Sequence, residues 1–330
     1  MSKITTLDAA DLTLEQLLFM KGQRPGTLCK CRPIYIKKIL ESSIKPFSED
    51  PVLLYLEPPF TIIGSLFGHF YDLLCIFESY GYPPHRKYLF LGNILGPGPQ
   101  SFETLMILLC FKLKYPNSVY IIRGQNEVES INLPYFFAQI QQQFDDEEIF
   151  YLFNSLFNYF PLAAILGSQI FCVSSGISHQ VTHIESISTV VRPFQIDQIN
   201  PYYSFLSSKP NASIDKWNEK SDPTIQFGLK SVKEFLTINK LNMILVSNTI
   251  LLDGFEFPFD GDTKFLSISS VPFYAQKYEK VGTIIDIDET LKIEFRSLRP
   301  LPYIYRDYYN WLRPTIQKLI QEQIQKQKLK

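Results

Sequence analysis

Residues 62–78 read IIGSLFGHFYDLLCIFE and contain the strand-to-helix turn that decides the fold. The pattern predicts an apolar strand ending at Gly64, a turn over residues 65–69 and an amphipathic helix beginning near Phe70. In α/β proteins, ligands and catalytic groups usually lie at such turns. This turn contains no carboxylate. It therefore has the position of a functional site without the residues that a site usually carries.

A regular alternation of elements follows this turn along the chain. A predicted helix over residues 70–80 precedes a strand at 88–91, and a helix over 101–115 precedes a strand at 118–122. This order predicts βαβ units and a mostly parallel sheet. The later predicted elements are a hairpin at 163–173, a helix at 226–237 and strands at 243–246, 264–270, 281–287 and 290–296.

The chain is predicted to form one domain over residues 1–300, because no low-complexity linker interrupts that stretch. Residues 11–58 form its N-terminal helical part, which ends in an extended segment from residue 51. Residues 301–330 differ in kind: a tyrosine-rich segment precedes a C-terminal amphipathic helix. The apolar face of that helix is suited either to a partner or to the chain's own domain.

Composition excludes several classes of function. The 330 residues have a formal net charge of -1, whereas an extended nucleic-acid interface needs a basic surplus. The apolar runs are too short to span a membrane, and the polar N-terminus lacks the core of a secretory signal. Five cysteines form an odd set, which favours buried thiols in a reducing compartment. We therefore expect an intracellular protein. Cys29 and Cys31 could bind a metal, but without a second pair nearby an ordinary loop is favoured.

Five loops follow predicted strands, and the geometry of a sheet brings such loops to one edge. These loops are residues 65–69, 93–98, 123–127, 174–178 and 247–249. They contain no aspartate, and their only histidine is His69. The glycine-rich loop GNILGPG at 92–98 lacks the lysine and the serine or threonine of a Walker sequence. The residues alone thus predict a site-shaped edge with little chemistry on it.

Several segments, in this order and spacing, resemble the serine/threonine phosphoprotein phosphatases, with protein phosphatase 1 as the nearest pattern. They include GHFYDLLCIFESYGYPP at 68–84, KYLFLGN at 87–93, RGQNEVESIN at 123–132 and DGFEF at 253–257. The resemblance extends from about residue 12 to about residue 300. It implies an α/β, metallophosphatase-like fold, in which a central β-sandwich of mixed sheets is flanked by helices.

The family's catalytic motifs are altered in this chain. GDxHG is replaced by GSLFG at 64–68, GDxxDRG by GNILGPG at 92–98, and GNHE by GQNE at 124–127. By resemblance, the metal-ligand positions are Ser65, Phe67, Asn93, Gln125, Ser174 and Asn248. The aspartate that orients the general acid corresponds to Gly96, the general-acid histidine to Asn126, and the phosphate-binding arginines to Pro97 and Asp222.

These replacements remove the chemistry that two divalent ions need. Such ions require anionic and imidazole ligands to offset their charge and to generate a hydroxide nucleophile. The six positions offer neutral oxygens at best, and Phe67 offers none. We therefore expect no metal cofactor and no turnover, and the resemblance then indicates a pseudophosphatase that acts as a protein-binding scaffold or adaptor. The alternatives are a phosphopeptide-binding module without turnover and a residual serine/threonine phosphatase.

Protein phosphatase 1 docks regulators that carry an RVxF-type segment in a hydrophobic groove away from its metals. By resemblance, the groove positions in this chain are Ile170, Met243, Phe257, Leu291, Ile293 and Phe295. The last three alternate with polar residues, as in a strand with one apolar face, a pattern that also fits a core strand. Expected partners are regulators with RVxF-like segments or cytoskeletal proteins, in the cytoplasm or on the cytoskeleton, with the nucleus also open.

Overall fold

The computed structural model describes residues 4–24, 27–219, 224–247, 249–272 and 281–299. The α-helices are α1 (Thr6–Phe19), α2 (Pro33–Glu49), α3 (Phe70–Tyr80), α4 (Ser101–Lys114), α5 (Glu129–Asn132), α6 (Ala138–Phe144), α7 (Glu147–Phe157), α8 (Ser204–Ser207) and α9 (Leu229–Asn239). The strands are β1 (Leu53–Leu56), β2 (Phe60–Ile63), β3 (Tyr88–Phe90), β4 (Val119–Ile121), β5 (Ala163–Leu166), β6 (Ile170–Val173), β7 (Lys209–Pro210), β8 (Trp217–Asn218), β9 (Gln226–Phe227), β10 (Met243–Val246), β11 (Phe255–Glu256), β12 (Phe265–Ile268), β13 (Gly282–Ile287) and β14 (Ile293–Leu298).

Two mixed sheets form the centre of the fold. The larger has the strand order β1-β5-β6-β10-β12-β11 and the smaller β14-β13-β2-β3-β4, while β7, β9 and β8 form a small third sheet. Strands β2, β3 and β4 are parallel, as are β6, β10 and β12, but β5–β6 and β13–β14 are antiparallel. The mixed sheets expected from the family resemblance are therefore confirmed. The βαβ units expected from the rhythm are confirmed over β2, α3, β3, α4 and β4, whose strands are parallel, but antiparallel pairs such as β5–β6 and β13–β14 make both sheets mixed.

Alternating side chains place the two sheets face to face. In β3, Leu89 points into a cluster between the sheets, together with Ile62 from β2 and Leu245 from β10. Its neighbours Tyr88 and Phe90 belong to a second cluster with the helices α1 to α4, α6 and α7. A third cluster packs α9 and the loops before it on the outer face of the larger sheet. The result is an α/β sandwich flanked by helices. The packing of the two sheets brings the ends of several strands together at one edge.

Several element boundaries differ from the sequence-based predictions. Gln226–Phe227 is a strand because it pairs with β7 and β8, and α9 begins only at Leu229. The residue between them is Gly228, where an added Cβ would lie 1.9 Å from the Ile214 carbonyl oxygen. The N-terminal helical part begins at Thr6, where Thr5 and Asp8 form a capping box. It ends in the strand β1. The helices between residues 129 and 157 were not predicted.

Residues 301–330, with the predicted C-terminal helix, lie outside the described residues. Among the helices that the structure does describe, none combines the length and the apolar character that a bilayer crossing requires.

Candidate functional site

Four strand ends meet at one edge of the sandwich. Ser65 follows β2, Asn93 follows β3, Ser174 follows β6 and Ser247 follows β10. The Ser65 backbone N–H donates to the Ser247 hydroxyl oxygen at 2.6 Å, and the Ser247 backbone N–H donates to the Ser174 carbonyl at 2.9 Å. All four side chains are buried. The edge is thus a closed, hydrogen-bonded junction of uncharged groups.

Asn93 lies at the centre of this junction, and its neighbours fix the orientation of its amide. The side-chain oxygen accepts a hydrogen bond from the Asn126 backbone N–H at 3.0 Å. The amide nitrogen therefore faces the Ser174 hydroxyl at 3.3 Å and the Ser65 hydroxyl at 3.4 Å. The group that Asn93 presents to the middle of the junction is an N–H donor, not a lone pair.

Ser65 and Ser247 complete the junction with hydrogen bonds to each other and to the backbone. The Ser65 hydroxyl donates to the Ser247 carbonyl, and the Ser247 hydroxyl donates to the Ile268 carbonyl at 2.7 Å. Nearby, the Gly64 backbone N–H donates to the Ser270 hydroxyl at 2.8 Å. Sequence reasoning singled out neither Ser247 nor Ser270. The only sequence feature that could have identified them was their position just after a strand.

Gln125 and Asn126 turn their amides toward neighbouring loops. The Asn126 amide nitrogen donates to the Leu95 carbonyl at 2.8 Å, and that of Gln125 donates to the Tyr203 hydroxyl at 2.9 Å. Asn248 and Asp222, the other two positions derived from the resemblance, lie outside the described residues.

The buried carboxylate of Glu127 holds the loops after β3 and β4 together. It accepts backbone N–H groups of Asn93 at 2.8 Å, Gly124 at 2.9 Å and Leu95 at 3.0 Å. Burial raises its pKa, and these hydrogen bonds partly offset the rise. Glu127 therefore has a structural role, because both of its carboxylate oxygens accept hydrogen bonds from backbone N–H groups.

Arg123 is the remaining arginine of these motifs, and each of its three guanidinium nitrogens makes a structural hydrogen bond. Its guanidinium donates to the Glu127 carbonyl at 3.1 Å, the Phe194 carbonyl at 2.6 Å and the Asn158 side-chain oxygen at 3.1 Å. Burial lowers its pKa to about 10. Arg123 borders a cavity of about 420 Å³, but Glu129 and Asp197 line the same cavity. These carboxylates disfavour a phosphate there.

The turn at Phe67 packs on the loop that contains Gly96 and Pro97. Phe67 is 7% exposed and has a φ of 49°, and its backbone N–H donates to the Asn93 carbonyl at 2.9 Å. A Cβ added at Gly96 would lie 2.6 Å from the Phe67 Cα, so the position has no room for a side chain. Pro97 points outward and is exposed. The turn at Phe67 and the loop at Gly96 are therefore in direct backbone contact.

His69 and Asp72 are buried together at the start of α3. His69 Nδ1 lies 3.6 Å from Asp72 Oδ2, which is longer than a hydrogen bond. Burial lowers the pKa of His69 to about 4 and raises that of Asp72 to about 7. Burial thus favours the neutral form of both groups over an ion pair. His69 therefore does not supply the edge with a charged imidazolium near neutral pH.

The sequence profile of the calcineurin-like phosphoesterases matches residues 58–247, more than half of the chain. The chain belongs to this family. The fold is similar to that of a serine/threonine phosphatase from Saccharomyces cerevisiae, described as similar to human phosphatase PP5. The TM-score is 0.74 at 23% identity, over 82% of this chain and 93% of that one. A cold-active protein-tyrosine phosphatase of a Shewanella species matches with a TM-score of 0.49 at 10% identity, over 74% of this chain and 82% of that one.

A metal centre of the kind that calcineurin-like phosphoesterases use does not fit the residues at this edge. Among the described residues, no group of three or more His, Cys, Asp or Glu side chains could hold an ion. The described carboxylate at this edge, on Glu127, is committed to backbone N–H groups, and the Asn93 amide directs hydrogens inward. Neutral hydroxyls and an amide N–H do not offset the charge of two divalent ions.

Five of the six residues assigned by resemblance to a docking groove share one buried cluster between the sheets. Ile170 lies within this cluster, and Met243, Phe257, Leu291 and Ile293 are partly buried against it. Ile170 and Met243 are also register partners across β6 and β10. Ile170 is therefore a core residue, whereas the other four lie partly buried at the margin of the cluster.

The sixth residue, Phe295, lies on β14 at the edge of the smaller sheet. Phe295 is 37% exposed, and its ring packs on that of Phe255 in β11 at a tilt of 39°, with 4.5 Å between centroids. The Phe255 ring in turn meets that of Phe257 edge to face, with 6.3 Å between centroids. β14 pairs with β13 on one side, and no described strand pairs with its other side. Sequence reasoning missed Phe255, although DGFEF was noted, because the strand there is only two residues long.

Proposed function

We propose that this chain is a catalytically inactive calcineurin-like phosphoesterase that acts as a protein-binding scaffold or adaptor. The observation that carries the proposal is the orientation of Asn93, whose oxygen is held by the Asn126 N–H while its NH₂ group faces the middle of the edge. A cation at that point would meet hydrogen atoms instead of lone pairs. The strand ends are thereby bonded to one another, and the residues described at this edge offer no ligand set for metal-assisted hydrolysis.

The proposed docking groove supports the scaffold role. Exposed Phe255 and Phe295 flank the unpaired edge of β14, and the partly buried Met243, Phe257 and Leu291 lie against the inter-sheet cluster. A partner segment with alternating apolar residues would add as a strand along β14 and insert its side chains among these residues. RVxF-type regulators have this chemistry.

The groove differs in charge from the one in protein phosphatase 1. Two acidic positions that meet the basic residue of the motif there correspond to Gly167 and Asn242. Leu291 packs on Gly167, where an added Cβ would lie 2.4 Å from a Leu291 methyl group, and Asn242 donates to the Gln169 amide oxygen at 2.6 Å. We therefore expect a partner motif in which the apolar residues matter more than the basic one.

Catalytic inactivity is tested by elemental analysis of the purified full chain after incubation with manganese, zinc or iron, together with phosphopeptide hydrolysis. We expect substoichiometric metal and no hydrolysis above a buffer blank. Stoichiometric metal with turnover would overturn the proposal and establish the residual serine/threonine phosphatase instead. A phosphopeptide that binds more tightly than its unphosphorylated twin would favour the phosphopeptide-binding alternative, which the engaged Arg123 makes weaker.

The docking groove is tested with a fluorescent peptide that carries an RVxF-type segment. We expect Phe295→Arg and Phe257→Arg to weaken binding at least tenfold, because each places a charge among apolar contacts. Phe295 is partly exposed, so its variant should fold even if Phe257→Arg does not. Tyr151→Arg, on an exposed face of α7, is the matched control. Equal binding by wild type and both groove variants would remove the groove from the proposal.

A further inference from the structure

The segment between α1 and α2 brings two cysteine sulfurs into contact. Cys29 Sγ lies 3.1 Å from Cys31 Sγ, and the two residues are 2% and 5% exposed. Both are free thiols in the structure. A disulfide bond is about 2.05 Å long, so bond formation brings the two sulfurs about 1 Å closer together. The pair is therefore a dithiol whose geometry is close to that of a disulfide.

Hydrogen bonds from two helices hold the backbone of Cys29 in this position. Its N–H donates to a side-chain oxygen of the buried Glu103 on α4 at 3.0 Å, and its carbonyl accepts from the Gln143 amide on α6 at 2.9 Å. The Gln143 amide nitrogen also donates to Glu103 at 3.0 Å. The fold thus restricts the backbone next to the first sulfur, which lowers the conformational entropy that bond formation has to remove.

The hydrogen bond within the pair distinguishes the two sulfurs. It raises the pKa of the Cys31 thiol, and burial raises it further. Cys31 therefore keeps its proton and directs it at Cys29 Sγ, which accepts it. Because the deprotonated sulfur is the form that attacks an oxidant, Cys31 is the later of the two to react and Cys29 the first.

A cavity of about 520 Å³ lies beside the pair. The segment at residues 27–30, which includes Cys29, lines one side of it, and α1 with the 3₁₀ turn that follows lines the other. Its lining contains apolar residues together with the charged Glu15 and Lys30. A space of this size admits a small, uncharged oxidant such as hydrogen peroxide to the neighbourhood of Cys29.

The spacing of the pair indicates a reversible modification and not a structural crosslink. A disulfide between residues 29 and 31 would close a loop of three residues. So short a loop restricts the unfolded chain little, whereas the disulfides that stabilise small domains close longer loops. The bond would therefore add little to the stability of the fold, and its chemical effect is to convert two thiols into a disulfide.

We propose that Cys29 and Cys31 form a reversible disulfide when the protein meets a hydroperoxide. Cys29 Sγ attacks one peroxide oxygen and the O–O bond breaks. With hydrogen peroxide, the departing hydroxide takes up the Cys29 proton as water, and Cys29 becomes a sulfenic acid. Cys31 Sγ then attacks Cys29 Sγ, the S–O bond breaks, and the hydroxyl group leaves with the Cys31 proton as a second water.

The electrons balance over these two steps. The two sulfurs together lose two electrons, and the peroxide gains them. Two thiols of glutathione, which become its disulfide, return the pair to the dithiol by thiol–disulfide exchange. This inference does not depend on the scaffold proposal, because it concerns neither the strand-end edge nor the β14 groove.

Peptide mapping of the full chain tests the proposal, because Lys30 lies between the two cysteines. Trypsin cleaves after Lys30 and so separates Cys29 from Cys31 unless a disulfide joins them. The folded protein is treated with excess hydrogen peroxide, its remaining thiols are blocked with N-ethylmaleimide in denaturant, and it is digested without a reductant. We expect at least tenfold more of the joined peptides than in untreated protein, and separate peptides again after dithiothreitol.

Variants test the order of attack. In Cys31→Ser, the Cys29 sulfenic acid has no partner, so dimedone should label Cys29. In Cys29→Ser, the sulfur that reacts first is absent, so Cys31 should stay unlabelled. Cys75→Ser, at a half-buried cysteine of α3, is the matched control and should leave the yield of joined peptides unchanged. Circular dichroism checks that each variant folds.

The measurement on the wild type decides the proposal even if a variant does not fold. Separate, unoxidised peptides of Cys29 and Cys31 after peroxide treatment of the folded chain would overturn it. So would a disulfide from either residue to Cys110, a fully buried cysteine whose charge also raises the pKa of Cys31, because the contact between Cys29 and Cys31 would then not select the partner.

Discussion

Gly96 packs directly on the backbone of Phe67, so closely that a Cβ added at Gly96 would lie 2.6 Å from the Phe67 Cα and 2.7 Å from its Cβ. By sequence resemblance, Gly96 and Phe67 correspond to an aspartate and a metal-binding histidine of the serine/threonine phosphatases. The changes at the two positions are therefore linked by packing. Restoring a side chain at residue 96 requires the turn at Phe67 to move.

Gly96→Ala should lower the free energy of unfolding by about 1–3 kcal/mol, because overpacking forces the backbone apart. Gly96→Asp should cost more, since it also buries a charge. Chemical denaturation measures both variants. Gly22→Ala is the control: its Cβ would meet nothing within 4 Å, so it should be neutral or slightly stabilising. An unchanged free energy of unfolding for Gly96→Ala would contradict this, because the turn at Phe67 would then move at little cost.

The Asn93 amide leads to a second prediction. Asn93→Asp keeps the acceptor for the Asn126 N–H but replaces the NH₂ group by an oxygen that faces the Ser247 carbonyl, 3.5 Å away. The buried carboxylate should have a raised pKa and destabilise the fold by about 1–3 kcal/mol at neutral pH, and less in acid. Thermal unfolding at two pH values measures this. We expect no stoichiometric manganese from this change alone.

The control for this variant is Asn200→Asp, because Asn200 caps a 3₁₀ turn by accepting the Tyr202 N–H, a role that aspartate also performs. It should leave the melting temperature nearly unchanged. If Asn93→Asp were as stable as wild type and bound manganese, the remaining hydroxyls would be sufficient ligands, and the account of the strand-end edge would be wrong.

Phe67 carries a third prediction. Because its ring is buried, Phe67→Ala should lower the free energy of unfolding by about 3 kcal/mol, within the range for large-to-small changes in cores. Tyr151→Ala, on a half-exposed ring, should change it by less than about 0.5 kcal/mol. Phe67→His should restore no phosphopeptide hydrolysis, since the other positions remain neutral. Measurable turnover in Phe67→His would contradict this.

Local patterns in the sequence were sufficient for individual strands and helices but not for the interior of the site. Apolar alternation and the glycine at residue 64 predicted β2, its turn and α3, because each depends on neighbouring residues. The orientation of the Asn93 amide depends on Asn126, 33 positions away, and the Ser65–Ser247 bond joins residues 182 positions apart. Only the folded chain brings such partners together, so no local pattern reveals which way an amide points.

Asp72 provides a test by pH. Burial raises its pKa from an ordinary 3.8 to about 7, so the folded protein keeps a proton that the unfolded chain loses. Its contribution to stability is fully present below about pH 4 and is lost as the pH rises to 7, at about 1.4 kcal/mol per pH unit at most. His69, whose pKa burial lowers to about 4, contributes a stability that rises with pH and so partly masks the effect of Asp72 in the wild type.

Asp72→Asn removes the ionisable group at residue 72 while it keeps the size and shape of the side chain. The stability of wild type minus that of Asp72→Asn, from urea titrations between pH 4 and 8, should therefore fall with rising pH and level off above 7. A difference that stays flat between pH 4 and 8 would mean that Asp72 causes the folded protein to hold no extra proton, and would contradict its raised pKa.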